Sequence, residues 1–347
     1  MGRHVVLRAD ASAAIGTGHV MRSRTLALAL IAEGWQATFA SRDLPATLAT
    51  SITTSGIGTI ALGPRARGAD EMGAIEDALE DRPTLVVADH YGVDAAWLRR
   101  ARRTADHVMA IDDLADREQP VDLLLNQNPG VEDAAYTDLV PATARLLLGP
   151  RYALVRPAFA EARARRTSRD GRIGRIGVLL GGADPDDVTA RAVDGILALP
   201  VAIDVVVGGA YPHAAALLGR LAGRRDARLY VDIEDVAGVM SETDLVIGAP
   251  GSASWERCTL GLPTVLVVLA DNQIRVAQAL TDAGAAVSAG WHEDVTAASI
   301  ARLVTDLMAD PTSVERMSEA ASALADGYGT ERVVDVIEDL VGGRGEP

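Results

Sequence analysis

Short apolar runs alternate with amphipathic segments along almost the whole chain, and this alternation limits the possible folds more than any other feature. Two of the runs, Thr84–Ala88 and Thr264–Leu269, are apolar or β-branched throughout rather than at every second residue. Strands of this kind are typical of a parallel sheet that helices cover on both faces. The sequence therefore predicts an α/β fold with doubly wound parallel sheets, whose ligands bind at the carboxyl ends of the strands.

A basic stretch, Ala160–Arg175, interrupts the alternation, which starts again after it. A chain of 347 residues is also too long for one ordinary hydrophobic core. We therefore predict two Rossmann-like domains, residues 1–158 and 173–341, that face each other across a cleft. Between and after them we predict a linker over residues 159–172 and a disordered tail over residues 342–347.

The composition argues against several classes of protein. A formal net charge of −15 and 3% aromatic residues disfavour a nucleic-acid surface, which needs clustered positive charge and stacking side chains. The sequence contains no lysine, which removes Schiff-base chemistry and a Walker A loop. Its single cysteine, Cys258, fits a reducing compartment, and we find no run typical of a membrane span or a signal peptide. We expect a cytoplasmic protein with no nucleic-acid or membrane partner; the oligomeric state stays open.

The segment Gly16-Thr17-Gly18-His19 connects a predicted strand to a helix predicted over Met21–Glu33. Its two glycines let the backbone approach a bound group, and a helix start offers unpaired N–H groups to an anion. His19 is a candidate general base, although a histidine at this place could also only cap or pack. Met21 stands where a dinucleotide-binding fingerprint has its third glycine, which disfavours a nicotinamide enzyme.

Two later strands of the first half end in polar residues. Asp89-His90-Tyr91 follows one strand, and Asp112-Asp113 follows the next. Tyr91 could bind a substrate hydroxyl or belong to a hydrogen-bond network at the strand end. For the two aspartates, capping or a turn is the simpler interpretation.

In the second half, the loop Gly248–Ser254 combines glycines and hydroxyls before a predicted helix, a pattern typical of a diphosphate cradle. Glu256 could accept both hydroxyls of a ribose, or could simply favour the helix start. Asn272 and Gln273 could donate to phosphate or sugar oxygens, or cap the following helix.

An Asp-x-Asp pattern occurs in the second half at Asp184-Pro185-Asp186. Such spacing can hold a divalent cation through carboxylate oxygens. A helix cap by Asp184 with Pro185 at the first helical position explains the same residues, so we do not predict a metal site.

Taken together, the motifs resemble the UDP-2,4-diacetamido-2,4,6-trideoxy-β-L-altropyranose hydrolases of pseudaminic acid biosynthesis. The resemblance covers nearly the whole chain, with its motifs in order. In the first half it rests on Arg8, Asp10, Ser12, Ile15, Gly16, Gly18, His19, Arg22, Asp89-His90-Tyr91, Leu148-Gly149-Pro150 and Tyr152–Arg156 with Phe159. In the second half it rests on Gly181-Gly182, Asp184, Gly251-Ser252, Ser254, Glu256, Leu260–Pro263 and Asn272-Gln273. Two positions depart from the family pattern, Ala158 and Asp271, where glutamate is common.

The resemblance implies a GT-B fold, related to that of the lipid II-forming N-acetylglucosaminyltransferase. Residues 1–158 then form the sugar-binding catalytic domain and residues 173–341 the UDP-binding domain. The implied reaction is hydrolysis of a UDP-linked diacetamido-trideoxy sugar at C1 with inversion, without a cofactor or metal. His19 is implied to activate water, with Tyr91 and Asp10 placed to position the water or His19. The implied substrate-binding residues are Gly16, Gly18, Arg22, Arg156, Gly182, Ser252, Ser254, Glu256, Asn272 and Gln273.

Three alternatives remain compatible with the sequence. An inverting GT-B glycosyltransferase would use an acceptor hydroxyl in place of water. A UDP-sugar 2-epimerase is expected to carry more acid and base groups around the sugar. A non-catalytic nucleotide-sugar-binding protein would not need His19.

Overall fold

The computed structural model describes residues 2–12, 16–63, 69–166, 170–182 and 184–343. Within these ranges the chain divides into two compact units. The first unit contains the described residues up to Val155 and those from Tyr328 onward, and the second unit contains those from Arg156 to Gly327. No described helix is both long and apolar enough to cross a membrane.

The first unit is a seven-stranded parallel sheet in the order β3-β2-β1-β4-β5-β6-β7. Its strands are β1 (His4–Arg8), β2 (Gln36–Ser41), β3 (Gly58–Ala61), β4 (Leu85–Ala88), β5 (His107–Ile111), β6 (Leu123–Asn126) and β7 (Arg145–Leu148). Its helices are α1 (Gly18–Ala32), α2 (Ala46–Thr54), α3 (Ala69–Ala78), α4 (Ala95–Thr104) and α13 (Gly329–Gly342).

The second unit is a six-stranded parallel sheet in the order β10-β9-β8-β11-β12-β13. Its strands are β8 (Arg175–Leu179), β9 (Ala202–Val207), β10 (Ala227–Val231), β11 (Leu245–Gly248), β12 (Thr264–Val268) and β13 (Ala286–Trp291). Its helices are α5 (Pro157–Arg165), α6 (Val188–Ile196), α7 (Ala214–Leu221), α8 (Val236–Ser241), α9 (Ala253–Thr259), α10 (Ile274–Asp282), α11 (Ala297–Ala309) and α12 (Pro311–Leu324).

Each sheet is covered on both faces, as the continuously apolar strands predict. In β1, Val5 and Leu7 pack into one hydrophobic core with α1 and α13. Val6, between them, packs into another core with α3 and α4. Both faces of the strand are therefore dry, and the predicted doubly wound α/β fold is confirmed.

The strand order reverses direction at one place in each sheet. In the first unit, β1 pairs with both β2 and β4, and Arg8 at its end lies beside Ala88 of β4. In the second unit, β8 pairs with both β9 and β11, and Leu179 lies beside Gly248. Loops diverge above such a reversal and leave a crevice for ligands at the carboxyl edge. Each unit therefore has one crevice in which a ligand is expected to bind.

The last helix belongs to the first unit, although the sequence places it in a C-terminal domain over residues 173–341. Val333 and Ile337 of α13 are fully buried in the core that α1 also lines. Trp35 Nε1 donates to Glu338 Oε1 at 2.7 Å. Alternation along the chain cannot show that a final helix returns to the first sheet, because this depends on a tertiary contact.

The first half of the stretch that the sequence presents as a linker, residues 159–165, belongs to a packed helix of the second unit, α5. Its Phe159 is fully buried. The Arg163 guanidinium donates to the backbone carbonyls of Thr259 at 3.0 Å and Ala325 at 2.8 Å, which follow or end two helices. A cation is favourable at a helix C-terminus, so part of the basic run is structural. Residues 167–169 of the predicted linker and 344–347 of the predicted tail lie outside the described residues.

Candidate functional site

His19 lies in the first turn of α1, directly above the crevice between β1 and β4. Gly16 has a φ of +79°, which favours glycine, and its N–H donates to the carbonyl of Ser12 at 2.8 Å. This bond closes the loop before the helix. Only Gly18, the first residue of α1, separates Thr17 from His19. Ile15 of the same motif lies outside the described residues.

His19 forms a buried dyad with Asp89, which directly follows β4. The His19 Nδ1 atom lies 2.6 Å from Asp89 Oδ1, and His19 is 7% exposed. A carboxylate only accepts, so we assign the proton to Nδ1 and leave Nε2 of the neutral ring as the proton acceptor. This is the orientation that a general base requires.

Asp89 is ionised in this environment. Burial alone would raise its pKa, but the charge of Arg22 and the hydrogen bonds from Arg22 and His19 outweigh burial and hold the pKa well below its ordinary value. Ser23 Oγ also donates to Asp89 Oδ2 at 2.9 Å. A fixed carboxylate beside Nδ1 both orients the imidazole and stabilises its protonated form.

Arg22, which the sequence predicts to hold an anionic substrate, binds two carboxylates of its own unit. Its Nε and Nη2 donate to Asp89 at 2.8 and 2.6 Å, and its Nη1 and Nη2 donate to Asp113 at 3.0 and 2.9 Å. It is 6% exposed. Two carboxylates therefore already satisfy this guanidinium, which makes it the clamp that holds Asp89 in place.

Tyr91 lies beside His19, as the sequence-based interpretation requires. The two rings meet edge to face with centroids 4.8 Å apart and an interplanar angle of 87°. The Tyr91 hydroxyl donates to Asp113 Oδ2 at 3.1 Å. The Tyr91 ring thus packs against the His19 ring, and Tyr91 itself is half-buried.

Asp10 belongs to a neighbouring ionic cluster and is bound by groups other than His19. Arg8 Nη1 lies 2.6 Å from Asp10 Oδ1, and the Arg42 N–H donates to the same oxygen at 2.7 Å. His90 Nε2 lies 3.3 Å from Asp10 Oδ2, and His90 Nδ1 accepts from the Gly92 N–H at 2.9 Å. Both carboxylate oxygens therefore lie against these groups, and Asp89 rather than Asp10 contacts His19 Nδ1; the placement of water by Asp10 stays a prediction.

Burial within that cluster sets two pKa values. Burial would raise the pKa of Asp10, but the hydrogen bond and charge of Arg8 lower it below its ordinary value. Burial and the charge of Arg8 lower the pKa of His90. The His90 ring is therefore mostly neutral at pH 7.

Sequence reasoning missed Asp89 and Asp113 as partners of the site. It noted both as strand-end residues but assigned no role to Asp89 and favoured capping for Asp112-Asp113. Capping holds for Asp112, whose Oδ2 accepts from the Ala115 N–H at 2.7 Å, but not for Asp113. The usable signal was that β4 and β5 are consecutive buried strands, so their ends share one edge of the sheet.

A second group of predicted residues meets at the crevice between β8 and β11 of the second unit. Glu256, in α9, forms a bidentate pair with Arg156: Nε to Oε1 at 2.7 Å and Nη2 to Oε2 at 3.1 Å. Both side chains are partly exposed, at 15% and 25%. Sequence reasoning gave them separate roles and did not foresee their contact.

Gln273 lies close to the loop before α9. Its Oε1 accepts from the Leu269 N–H at 2.9 Å, which fixes the amide so that Nε2 is free to donate elsewhere. A Cβ on Gly251 would lie 4.0 Å from that Nε2. Gln273 and the loop are thus brought together. Asn272 lies one residue earlier in a short 3-10 helix, Asp271–Gln273.

The two loop serines differ. Ser252 is the partly exposed N-cap residue of α9, and no capping hydrogen bond comes from its side chain. Ser254 is 1% exposed, and its Oγ accepts from Arg257 Nη2 at 2.9 Å. Ser254 therefore supports the loop from inside, and its predicted contact with substrate stays a prediction.

The β8–α6 loop is built as a tight turn with a cap. A Cβ on Gly208 would lie 2.5 Å from the Gly182 carbonyl oxygen, so these two loops touch through backbone. Asp184 accepts from the N–H groups of Val188 at 3.1 Å and Thr189 at 2.7 Å, but the N-cap residue of α6 is Asp187, so the prediction of Asp184 as N-cap is wrong. α6 begins at Val188, so Pro185 lies in the preceding turn rather than at the first helical position. Among the described residues, no cluster of histidine, cysteine or carboxylate side chains is arranged to hold a metal ion.

Comparison with known proteins supports the fold described above. Residues 224–338 match the model of the glycosyltransferase family 28 C-terminal domain. A solved structure of MurG from Acinetobacter baumannii superposes with a TM-score of 0.68 at 19% identity, covering 97% of this chain and 99% of that one. The chain has the GT-B fold.

Two curated relatives are similar in sequence. The spore coat polysaccharide biosynthesis protein SpsG of Bacillus subtilis (strain 168) is 25% identical over 266 residues, which cover 74% of this chain and 76% of SpsG. The UDP-N-acetylglucosamine–N-acetylmuramyl-(pentapeptide) pyrophosphoryl-undecaprenol N-acetylglucosamine transferase of Phenylobacterium zucineum (strain HLK1) is 35% identical over 124 residues, about a third of each protein. Similarity to SpsG therefore covers most of the chain, and similarity to the transferase covers a single segment.

Proposed function

We propose that this chain is a UDP-sugar enzyme that breaks the C1–O bond of its substrate with inversion, and that His19 is its general base. The observation that carries the proposal is the 2.6 Å contact between His19 Nδ1 and Asp89 Oδ1, which leaves Nε2 to accept a proton. The dyad lies at the carboxyl end of β1 and β4, where sheets of this kind bind ligands.

In the proposed step, a hydroxyl oxygen forms a bond to C1 while the bond from C1 to the UDP oxygen breaks. UDP leaves with the electron pair, and the hydroxyl proton moves to His19 Nε2. Asp89 stabilises the imidazolium that results. One displacement at C1 inverts its configuration. General-base assistance of this kind contributes ~10²–10⁴-fold to the rate.

The second unit supplies nucleotide recognition in this proposal. Each Glu256 oxygen accepts one hydrogen bond from Arg156, and a carboxylate offers about four acceptor sites in all. Two sites therefore remain for the two hydroxyls of a ribose. We assign the diphosphate to the neighbouring loop, which contains Gly251 and Ser252 and lies beside Gln273 Nε2. The family match over residues 224–338 supports this assignment.

Of the two possible nucleophiles, we favour the hydroxyl of a sugar or lipid-linked acceptor, which makes the reaction glycosyl transfer. The family model is a glycosyltransferase domain, and the Phenylobacterium relative is named a transferase. The SpsG similarity supports a role in polysaccharide biosynthesis. Water is the second candidate, because the motifs around His19 and Asp89-His90-Tyr91 resemble those of UDP-sugar hydrolases.

The test is to incubate the purified chain with UDP-N-acetylglucosamine and with UDP-diacetamido-trideoxy sugars, and to follow UDP and the anomeric protons by NMR. UDP release only when an acceptor is added supports transfer. Release without acceptor supports hydrolysis. Conversion to a C2 epimer without UDP release, or no turnover with any UDP-sugar, contradicts the proposal of C1–O cleavage.

A further inference from the structure

Arg257 is a fully buried arginine beneath the loop that joins β11 to α9. It is 2% exposed. A Cβ on Gly248 would lie 2.9 Å from Arg257 Nη1 and 3.1 Å from the Leu179 carbonyl oxygen. The guanidinium therefore occupies the space that Gly248 leaves at the carboxyl ends of β8 and β11, which is the crevice of the second unit.

The partners of this arginine are neutral. Its Nη2 donates to the Ala249 carbonyl at 2.8 Å and to Ser254 Oγ at 2.9 Å. Within the part of the chain that the structure describes, Nη1 has no hydrogen-bond partner and no carboxylate forms an ion pair with Arg257. Arg22 and Arg156, in contrast, are each paired with carboxylates.

An unpaired buried cation costs free energy, and the pKa of Arg257 reflects this cost. Burial lowers the pKa of Arg257 to about 10, and the neighbouring Cys258 and Glu256 offset this only in part. The residue therefore stays charged at pH 7. Even a buried ion pair can often be replaced by apolar side chains of similar volume without loss of stability, and Arg257 has no counter-charge to offset its burial. The arginine is thus poorly explained by stability of the free protein.

We propose that Arg257 is a positioning residue for an anionic diphosphate bound on the loop Gly248–Ser252. The inference rests on the proposed nucleotide-binding role of the second unit. Arg257 supplies the positive charge from below the loop, where little solvent screens it. Its hydrogen bond to Ala249 holds that carbonyl dipole toward the protein interior and fixes the loop shape. A diphosphate above the loop then completes the charge balance that the free protein lacks.

The test compares binding of UDP and uridine to the full chain by isothermal titration calorimetry. In Arg257→Met, UDP affinity is expected to fall about tenfold or more, because the charge acts at short range in a partly buried site. Uridine affinity is expected to change by less than about twofold, since the nucleoside carries no phosphate charge. The melting temperature of the free variant is expected to match or exceed that of the wild type.

Arg224→Met is the control, because Arg224 also donates to backbone carbonyls, those of Leu197 and Leu199, but is in addition paired with Asp226. It should lower stability and leave the ratio of UDP to uridine affinity unchanged. If Arg257→Met does not fold, Arg257→Lys and Arg257→Gln replace it: lysine, which keeps the charge, should retain more UDP affinity relative to uridine than glutamine. Equal losses for UDP and uridine, or no loss, would overturn the role of Arg257. A wild-type protein that binds neither would instead overturn the proposed function.

Discussion

His19 and Asp89 are 70 residues apart in sequence, and their side chains meet at 2.6 Å because β1 and β4 are neighbours in the sheet. The contact fixes which imidazole nitrogen carries the proton. It also joins the first turn of α1 to a strand end whose carboxylate is held by Arg22 and Ser23. This dyad is the most specific chemical feature of the first unit.

Replacement of the base should separate chemistry from binding. We expect His19→Gln to lower the rate of UDP release by ~10²–10⁴-fold, because glutamine cannot accept the proton. UDP affinity should stay within about twofold, since we assign the nucleotide to other residues. Rates are measured by NMR and affinities by calorimetry. His213→Gln, at a partly exposed histidine of the second unit, serves as control; survival of full activity in His19→Gln would show that another group is the base.

Removal of the arginine clamp should destabilise the first unit. In Arg22→Leu, Asp89 and Asp113 remain buried without their shared cation, and we expect a loss of about 3–5 kcal/mol in the free energy of unfolding. Arg99→Leu, which removes an exposed pair with Glu118, should cost about 0–1 kcal/mol. Urea denaturation measures both. Similar losses in the two variants would mean that the clamp is not the stabilising contact we describe.

Acid should lower the free energy of unfolding of the first unit through protonation of Asp89. The pKa of Asp89 is depressed in the folded chain, so its contribution is complete above the unfolded value of about 3.9 and is lost as the pH falls below it. The wild type should therefore lose stability more steeply than Asp89→Asn between about pH 5 and 2. Denaturation curves across that range check the sign; parallel slopes would contradict the depressed pKa.

Glu256 should decide ribose recognition. We expect Glu256→Ala to weaken UDP binding by about 10–100-fold, because it removes charge-assisted hydrogen bonds to two hydroxyls and frees Arg156. The wild type should prefer UDP over its 2′-deoxy analogue, and the variant should lose that preference. Calorimetry with both ligands provides the measurement. An unchanged preference would place the ribose elsewhere.

Cys258 should be inert in the folded protein. It is 4% exposed, and burial raises the pKa of its thiol to about 12, so very little thiolate forms at pH 8. A disulfide reagent such as DTNB should label it only after denaturation. Rapid labelling of the native chain would show that α9 opens readily, which would also weaken the case for a dry environment around Arg257.

The local part of this structure follows from sequence. The apolar runs Thr84–Ala88 and Thr264–Leu269 form the strands Leu85–Ala88 and Thr264–Val268, because burial on both faces removes polar alternation. The hydrogen bonds from the start of α6 to Asp184 are likewise a short-range property of backbone N–H groups and a nearby carboxylate. The strand-end location of His19, Tyr91 and Glu256 follows from the α/β alternation itself.

Only the tertiary structure decided which of these residues are partners. Asp89 rather than Asp10 binds His19, Arg22 bridges Asp89 and Asp113, and Arg156 pairs with Glu256. Helix α13 packs in the first unit, and the basic stretch before Arg166 packs in the second. Neither location was predicted from the sequence. Charge pairing and helix docking depend on distances between segments far apart in the chain. Periodicity reports burial within one segment, so it could predict the two sheets but not the contacts across their edges.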